Sequence, residues 1–89
     1  MAEERSLALE LVNLCLTMDT NFAAGLSVKG LGDLFKEIKG KVSEQGSYDR
    51  WAMDLLKLYL PHKPELASKE QVIAAYEALR NEVKNIKAF

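Results

Sequence analysis

The chain is predicted to be all-α: a small up-and-down antiparallel four-helix bundle that covers surplus apolar surface as a homodimer or against another protein. Three observations lead there. Apolar residues recur at helical spacing in four stretches, of about residues 4–18, 31–44, 48–60 and 69–87. The strong helix breakers punctuate them: all five glycines fall from Gly25 to Gly46, with Gly32 and Gly40 inside the second stretch, and both prolines, Pro61 and Pro64, come between the third and the fourth. Short connections then favour antiparallel neighbours. Finally, two of the stretches are apolar around most of their circumference, which is more than one small bundle covers by itself.

The first helix, about 4–18, is rich in Leu and Ala and free of Gly and Pro. Wound at about 100° per residue, it gathers Ser6, Glu10, Asn13 and Thr17 into one polar strip and leaves an apolar arc of roughly 220°. Such a helix is wrapped by neighbours or by a second subunit. Asp19, Thr20 and Asn21 are capping and turn residues, so the helix ends near Met18 or restarts through Phe22-Ala-Ala. The second helix, about 31–44, carries Leu31, Leu34, Phe35, Ile38 and Val42 as an i, i+3, i+4, i+7, i+11 stripe. Asp33, Lys36, Glu37, Lys39 and Lys41 fill the other face. Gly32 and Gly40 each cost about 1 kcal/mol relative to Ala in a helix interior, so tertiary packing has to hold this element.

For the third helix, about 48–60, Ser47 is the expected N-cap and Asp49 suits the positive helix end. Pro61 stops it. Arg50, Asp54 and Lys57 are its only polar strip, which makes it a second inside helix. Pro61-His-Lys-Pro64 is a stiff connector. Ser68-Lys-Glu-Gln71 fits a capping box for the fourth helix, about 69–87. Its apolar positions Val72, Tyr76, Leu79, Val83 and Ile86 repeat at 4, 3, 4, 3 and make a narrow seam, the mark of an outside helix.

Composition bounds the function. With 89 residues there is room for a single domain, 1–89, hiding roughly 64% of its unfolded surface. Apolar residues make up 48% and charged ones 28%, the balance of a soluble globular chain rather than a disordered one. The net charge of −1 supplies no general attraction to nucleic acid. A lone cysteine excludes an internal disulfide, and the acidic opening Met-Ala-Glu-Glu-Arg does not fit a signal peptide, so a cytoplasmic location is expected.

Catalytic chemistry is hard to assemble. His62 sits in the polar connector without carboxylate or thiol companions, and Cys15 lies in an apolar arc with nothing basic beside it. Asp19-x-Asn21 begins like a calcium loop, but Ala23 and Ala24 stand where a ligand oxygen and a turn glycine are needed. Gly30-Leu-Gly32 lacks the strand and the Gly-Lys-Ser/Thr of a phosphate cradle and reads as a flexible lead-in to the second helix. A helix-turn-helix would have to read bases with Arg50, Asp54 and Lys57, too few polar groups and one of them acidic. The expectation is therefore no enzyme, cofactor, metal, nucleic acid or small-molecule substrate.

What remains is a small cytoplasmic interaction module, a regulator, adaptor, inhibitor or accessory subunit, whose partner is another protein or itself. The expected partner-binding residues are Leu31, Leu34, Phe35, Lys36, Ile38 and Lys39 of the glycine-rich second helix. The alternative is a membrane-surface or toxin-facing protein of the immunity type using that same amphipathic, lysine-bearing segment.

Overall fold

Four of the helices start where a short polar side chain meets the first free amides. In the computed structural model, which describes residues 6–43 and 47–87, Ser6 Oγ accepts from the amides of Ala8 and Leu9 and opens α1, Leu7–Met18. Asp19 interrupts the helix: its carboxylate accepts from Phe22 N at 3.1 Å and starts α2, Thr20–Ala24. The other oxygen of Asp19 accepts from Lys69 N, at the start of α5, Lys69–Lys87. One carboxylate thus serves two helix starts separated by fifty residues.

Ser27 opens α3, Val28–Lys39, by accepting from Gly30 N at 3.0 Å. The expected span of about 31–44 is thereby corrected at both ends. The cap lies upstream of the glycine pair, so Gly30 and Gly32 are inside the helix instead of leading into it, and the helix stops at Lys39 with Gly40 as C-cap. Residues 44–46 lie outside the described residues, as do residues 1–5 and the side chain of Ser47, so the expected Ser47 cap does too. α4 runs Ser47–Tyr59 and passes into a 3₁₀ turn, Leu60–His62, that contains Pro61. At the start of α5, Gln71 N donates to Ser68 Oγ while that hydroxyl donates to Gln71 Oε1, a variant of the expected capping box.

The fold is all-helical, as the periodicity predicts, with five helices among the described residues rather than four. A radius of gyration of 13.2 Å is that of a compact chain of this length. α1 is the central element and touches every other helix; α3 packs chiefly on α1, and the longest contact is between α4 and α5. Leu11 and Cys15 of α1, Ile38 of α3, Met53 and Leu56 of α4, and Val72 and Tyr76 of α5 are the largest fully buried side chains.

Two expectations fail here for reasons of packing. α4 is not an inside helix. Ala52, Met53 and Leu56 are fully buried, whereas Trp51, Leu55, Leu58 and Tyr59 are 42–71% exposed; among the described residues α1 and α5 cover one side of it and leave the other largely open. Ile86, counted in the α5 seam, is 66% exposed because α5 runs on beyond Val83. Conversely, Glu10 does not lie on a solvated strip.

Glu10 is buried under α4, where Arg50 Nη2 donates to Oε2 at 3.0 Å and Lys57 pairs with Oε1. Burial pushes its carboxyl up, but the hydrogen bonds from Lys57 and Arg50 outweigh that and hold it below its ordinary value. A carboxyl whose pKa is depressed by folding stabilises the fold above its unfolded pKa, and that contribution is lost as pH falls through the folded value. Glu10→Gln should therefore cost about 1–2 kcal/mol at pH 7. In urea titrations the gap to the parent protein should close as pH drops below about 4; a gap independent of pH would show that the ion pairs contribute nothing.

Candidate functional site

Side chains that the core leaves uncovered define the candidate surfaces. Along α1, Leu9, Val12, Asn13 and Leu16 occupy positions i, i+3, i+4 and i+7. Along α3, Val28, Leu31, Gly32 and Phe35 occupy the same four positions. These eight residues line one open groove of about 610 Å³. Each wall spans eight residues, about 10 Å or two helical turns. Val28 is 90% exposed, and Leu9 and Leu31 are exposed as well.

The expected partner-binding residues divide between core and groove. Leu34 and Ile38 are buried in the core beside Leu11 and Cys15. Leu31 and Phe35 line the groove. Lys36 and Lys39 are exposed on the same helix, with the Lys39 ammonium 6.0 Å from the centre of the Phe35 ring. The groove's other wall, Leu9, Val12 and Leu16, was not expected to face a partner. Its signal is present in the sequence as the width of the apolar arc of α1, which exceeds what a core-facing stripe uses.

Gly32 is the unusual member. Its backbone is ordinary helix, and no glycine among the described residues adopts positive φ. A Cβ built on it would meet no heavy atom within 4 Å. Neither backbone geometry nor internal packing requires glycine there. Gly32→Ala should then stabilise the protein by about 1 kcal/mol, or several degrees in thermal unfolding by circular dichroism. A loss of stability would contradict the open geometry.

A second groove, of about 320 Å³, lies between α4 and α5 and is lined by Trp51, Asp54, Leu55, Val83 and Ile86. Further along the same pair of helices, Tyr59, Leu66, Ala75, Ala78 and Leu79 line a third. Leu55 and Tyr59 are one turn apart on α4, and so are Val83 and Leu79 on α5, so the two recesses follow one seam.

The buried titratable groups are committed to structure. Asp49 is buried and accepts from Tyr76 Oη, from Ser43 N at 3.3 Å and from Arg80 Nη1 at 3.5 Å. Arg80 also donates to the Lys41 carbonyl at 2.7 Å. Cys15 is fully buried; burial pushes its thiol up to about 12, far more than nearby Lys69 pulls it down, so it is no thiolate nucleophile at neutral pH. His62 is exposed in the 3₁₀ turn. Among the described residues no three His, Cys, Asp or Glu side chains gather as a metal site, and no helix is long and apolar enough to cross a membrane. Compared with known proteins, the chain matches no protein-family model, no curated protein and no solved structure.

Proposed function

We propose that the protein is a small helical protein–protein interaction module, a regulator or accessory subunit working through apolar surface that its own fold leaves open. One observation carries this reading: the exposed large apolar side chains are collected rather than scattered. Leu9, Val28 and Leu31 border the α1/α3 groove, while Trp51, Leu55 and Ile86 border the α4/α5 groove with Leu58 and Tyr59 next to them. Grouped exposure of this kind marks association surfaces, whereas isolated exposed leucines do not. A reducing cytoplasm suits the single buried thiol of Cys15.

The α4/α5 seam is the face we assign to self-association. Five large side chains there are 42–71% exposed. At roughly 200 Å² each they offer on the order of 500 Å², below the roughly 800 Å² per partner of a stable interface. The homodimer is therefore weak and concentration-dependent. Sedimentation velocity over a concentration series should show a monomer–dimer equilibrium that Trp51→Glu with Leu55→Glu abolishes. A monomer at every concentration, together with no uptake of an apolar dye, would remove the interaction-module reading.

The membrane-surface reading draws on Val28, Leu31 and Phe35 beside Lys36 and Lys39. The burial of Leu34 and Ile38 in the core takes away half of the stripe that would enter a bilayer. Co-sedimentation with anionic vesicles, lost on Phe35→Asp, is the result that would favour it.

A further inference from the structure

We propose that the groove between α1 and α3 receives a single amphipathic helix of another protein, with apolar side chains at i, i+3 or i+4, and i+7 flanked by aspartate or glutamate. The inference rests on the interaction-module reading and names the partner's chemistry.

The geometry of the walls comes first. Both present i, i+3, i+4, i+7 positions over eight residues, and a helix docked in a groove uses anchors of the same span. At the i+4 position of each wall the large apolar side chain is missing: Asn13 stands there on α1 and Gly32 on α3. In α3 this costs helix stability without any return inside the chain, since a Cβ at Gly32 would meet nothing. Glycine in a helix with ordinary backbone and open space beyond it is explained by close approach of something from outside. A partner helix crossing at Gly32 comes nearer to α3 by the thickness of a side chain, with Val28, Leu31 and Phe35 around the crossing point.

Charge selects the helix. On α3, Lys29 is paired with Asp33 and Glu37 with Lys69. Lys36 and Lys39 have no carboxylate partner among the described residues and stand exposed beside the groove. The α1 wall contributes neutral Asn13, and the acid of α1, Glu10, is held by Arg50 and Lys57 on α4. No acidic side chain lines the groove. Its rim is positive, so acidic flanks are attracted and basic ones repelled.

A second copy fits less well. The exposed ridge of α4, with Trp51, Leu55 and Leu58 at i, i+4, i+7, has the right span, but its flanking charges cancel: Arg50 and Lys57 against Glu10 and Asp54. A bilayer would satisfy the lysines, yet a flat surface does not reach Val12, which is only 7% exposed.

A phage-displayed library of helical peptides about 15 residues long, panned on the intact protein, tests the assignment. Enriched sequences should carry three apolar residues at the stated spacing with Asp or Glu beside them. Binding of a synthesised consensus peptide should weaken by roughly thirtyfold or more on Gly32→Phe, which fills the crossing point. Lys36→Glu with Lys39→Glu should weaken it about tenfold and flatten its salt dependence. Glu65→Gln, in the exposed turn before α5 and away from both apolar faces, should leave it unchanged. Thermal unfolding of Gly32→Phe at or above the parent's temperature separates a blocked groove from a failed fold. Peptides with basic flanks, peptides indifferent to Gly32→Phe, or vesicle binding through this face without any enriched peptide would each overturn the proposal. If no peptide is enriched while α4-dependent self-association persists, the groove assignment falls and the module reading stands; if both are absent, both fall.

Discussion

Replacing Asp49 by alanine should cost about 3 kcal/mol, among the largest losses available outside the apolar core. Asp49 is 4% exposed, and it receives Tyr76 Oη, Arg80 Nη1 and Ser43 N. Its removal leaves a fully buried phenol hydroxyl and a partly buried guanidinium without their anion. Breaking a buried pair from one side costs about 3–5 kcal/mol; Arg80 keeps the Lys41 carbonyl and some solvent, which places the loss at the low end. Asp49→Asn preserves an acceptor and should cost about 1–2 kcal/mol. Against a total stability on the order of 9 kcal/mol for a domain this size, alanine should lower the thermal midpoint by roughly 15 °C. Urea denaturation of both variants checks the order, and a loss below about 1 kcal/mol for alanine would mean that water already satisfies the cluster.

The same aspartate shows where sequence reading stops. On the chain it is an acid near a helix start, a common and cheap arrangement. Its partners come from positions 43, 76 and 80, and no periodicity links these to residue 49. Glu10 is the same case: it falls on a polar strip by winding, and only the approach of Arg50 and Lys57 from α4 encloses it. Local features were legible. The stop at Met18, the restart at Thr20, the seam start at Ser68 and the stripe of α3 all follow from side chains within one or two turns. The start of α3 is not legible in this way: Gly30 and Gly32 argue locally against helix, and the Ser27 cap nucleates this weak segment because α1 supplies the packing. The width of an apolar arc showed that α1 and α4 exceed what one face buries. It did not say which half of each arc meets the core, because that depends on which neighbours arrive, and for α4 the answer was reversed at Trp51 and Leu55.

Along α3 one stripe is divided between the core and the open groove, and paired substitutions should separate folding from the proposed binding. Ile38 is fully buried against the core, while Phe35 is half-buried at the groove. Ile38→Ala removes methyl groups from a close-packed site and should cost about 3 kcal/mol, including the cavity left behind. Phe35→Ala removes more atoms but from a surface that water already reaches, so about 1–2 kcal/mol is expected. The order is set by burial, opposite to the order of side-chain size. For the acidic helical peptide the order should invert: Phe35→Ala weakens binding by roughly tenfold or more, whereas Ile38→Ala, measured at a temperature where the variant remains folded, changes it little. Chemical denaturation and peptide titration on the same two proteins give all four numbers. If Phe35→Ala destabilises the fold as much as Ile38→Ala, the groove wall belongs to the core. An unchanged peptide affinity in Phe35→Ala would place the partner elsewhere. The predicted inversion has a simple physical origin. Among the described residues α3 packs chiefly on α1, so of its two apolar edges one meets the core and the other borders the open groove.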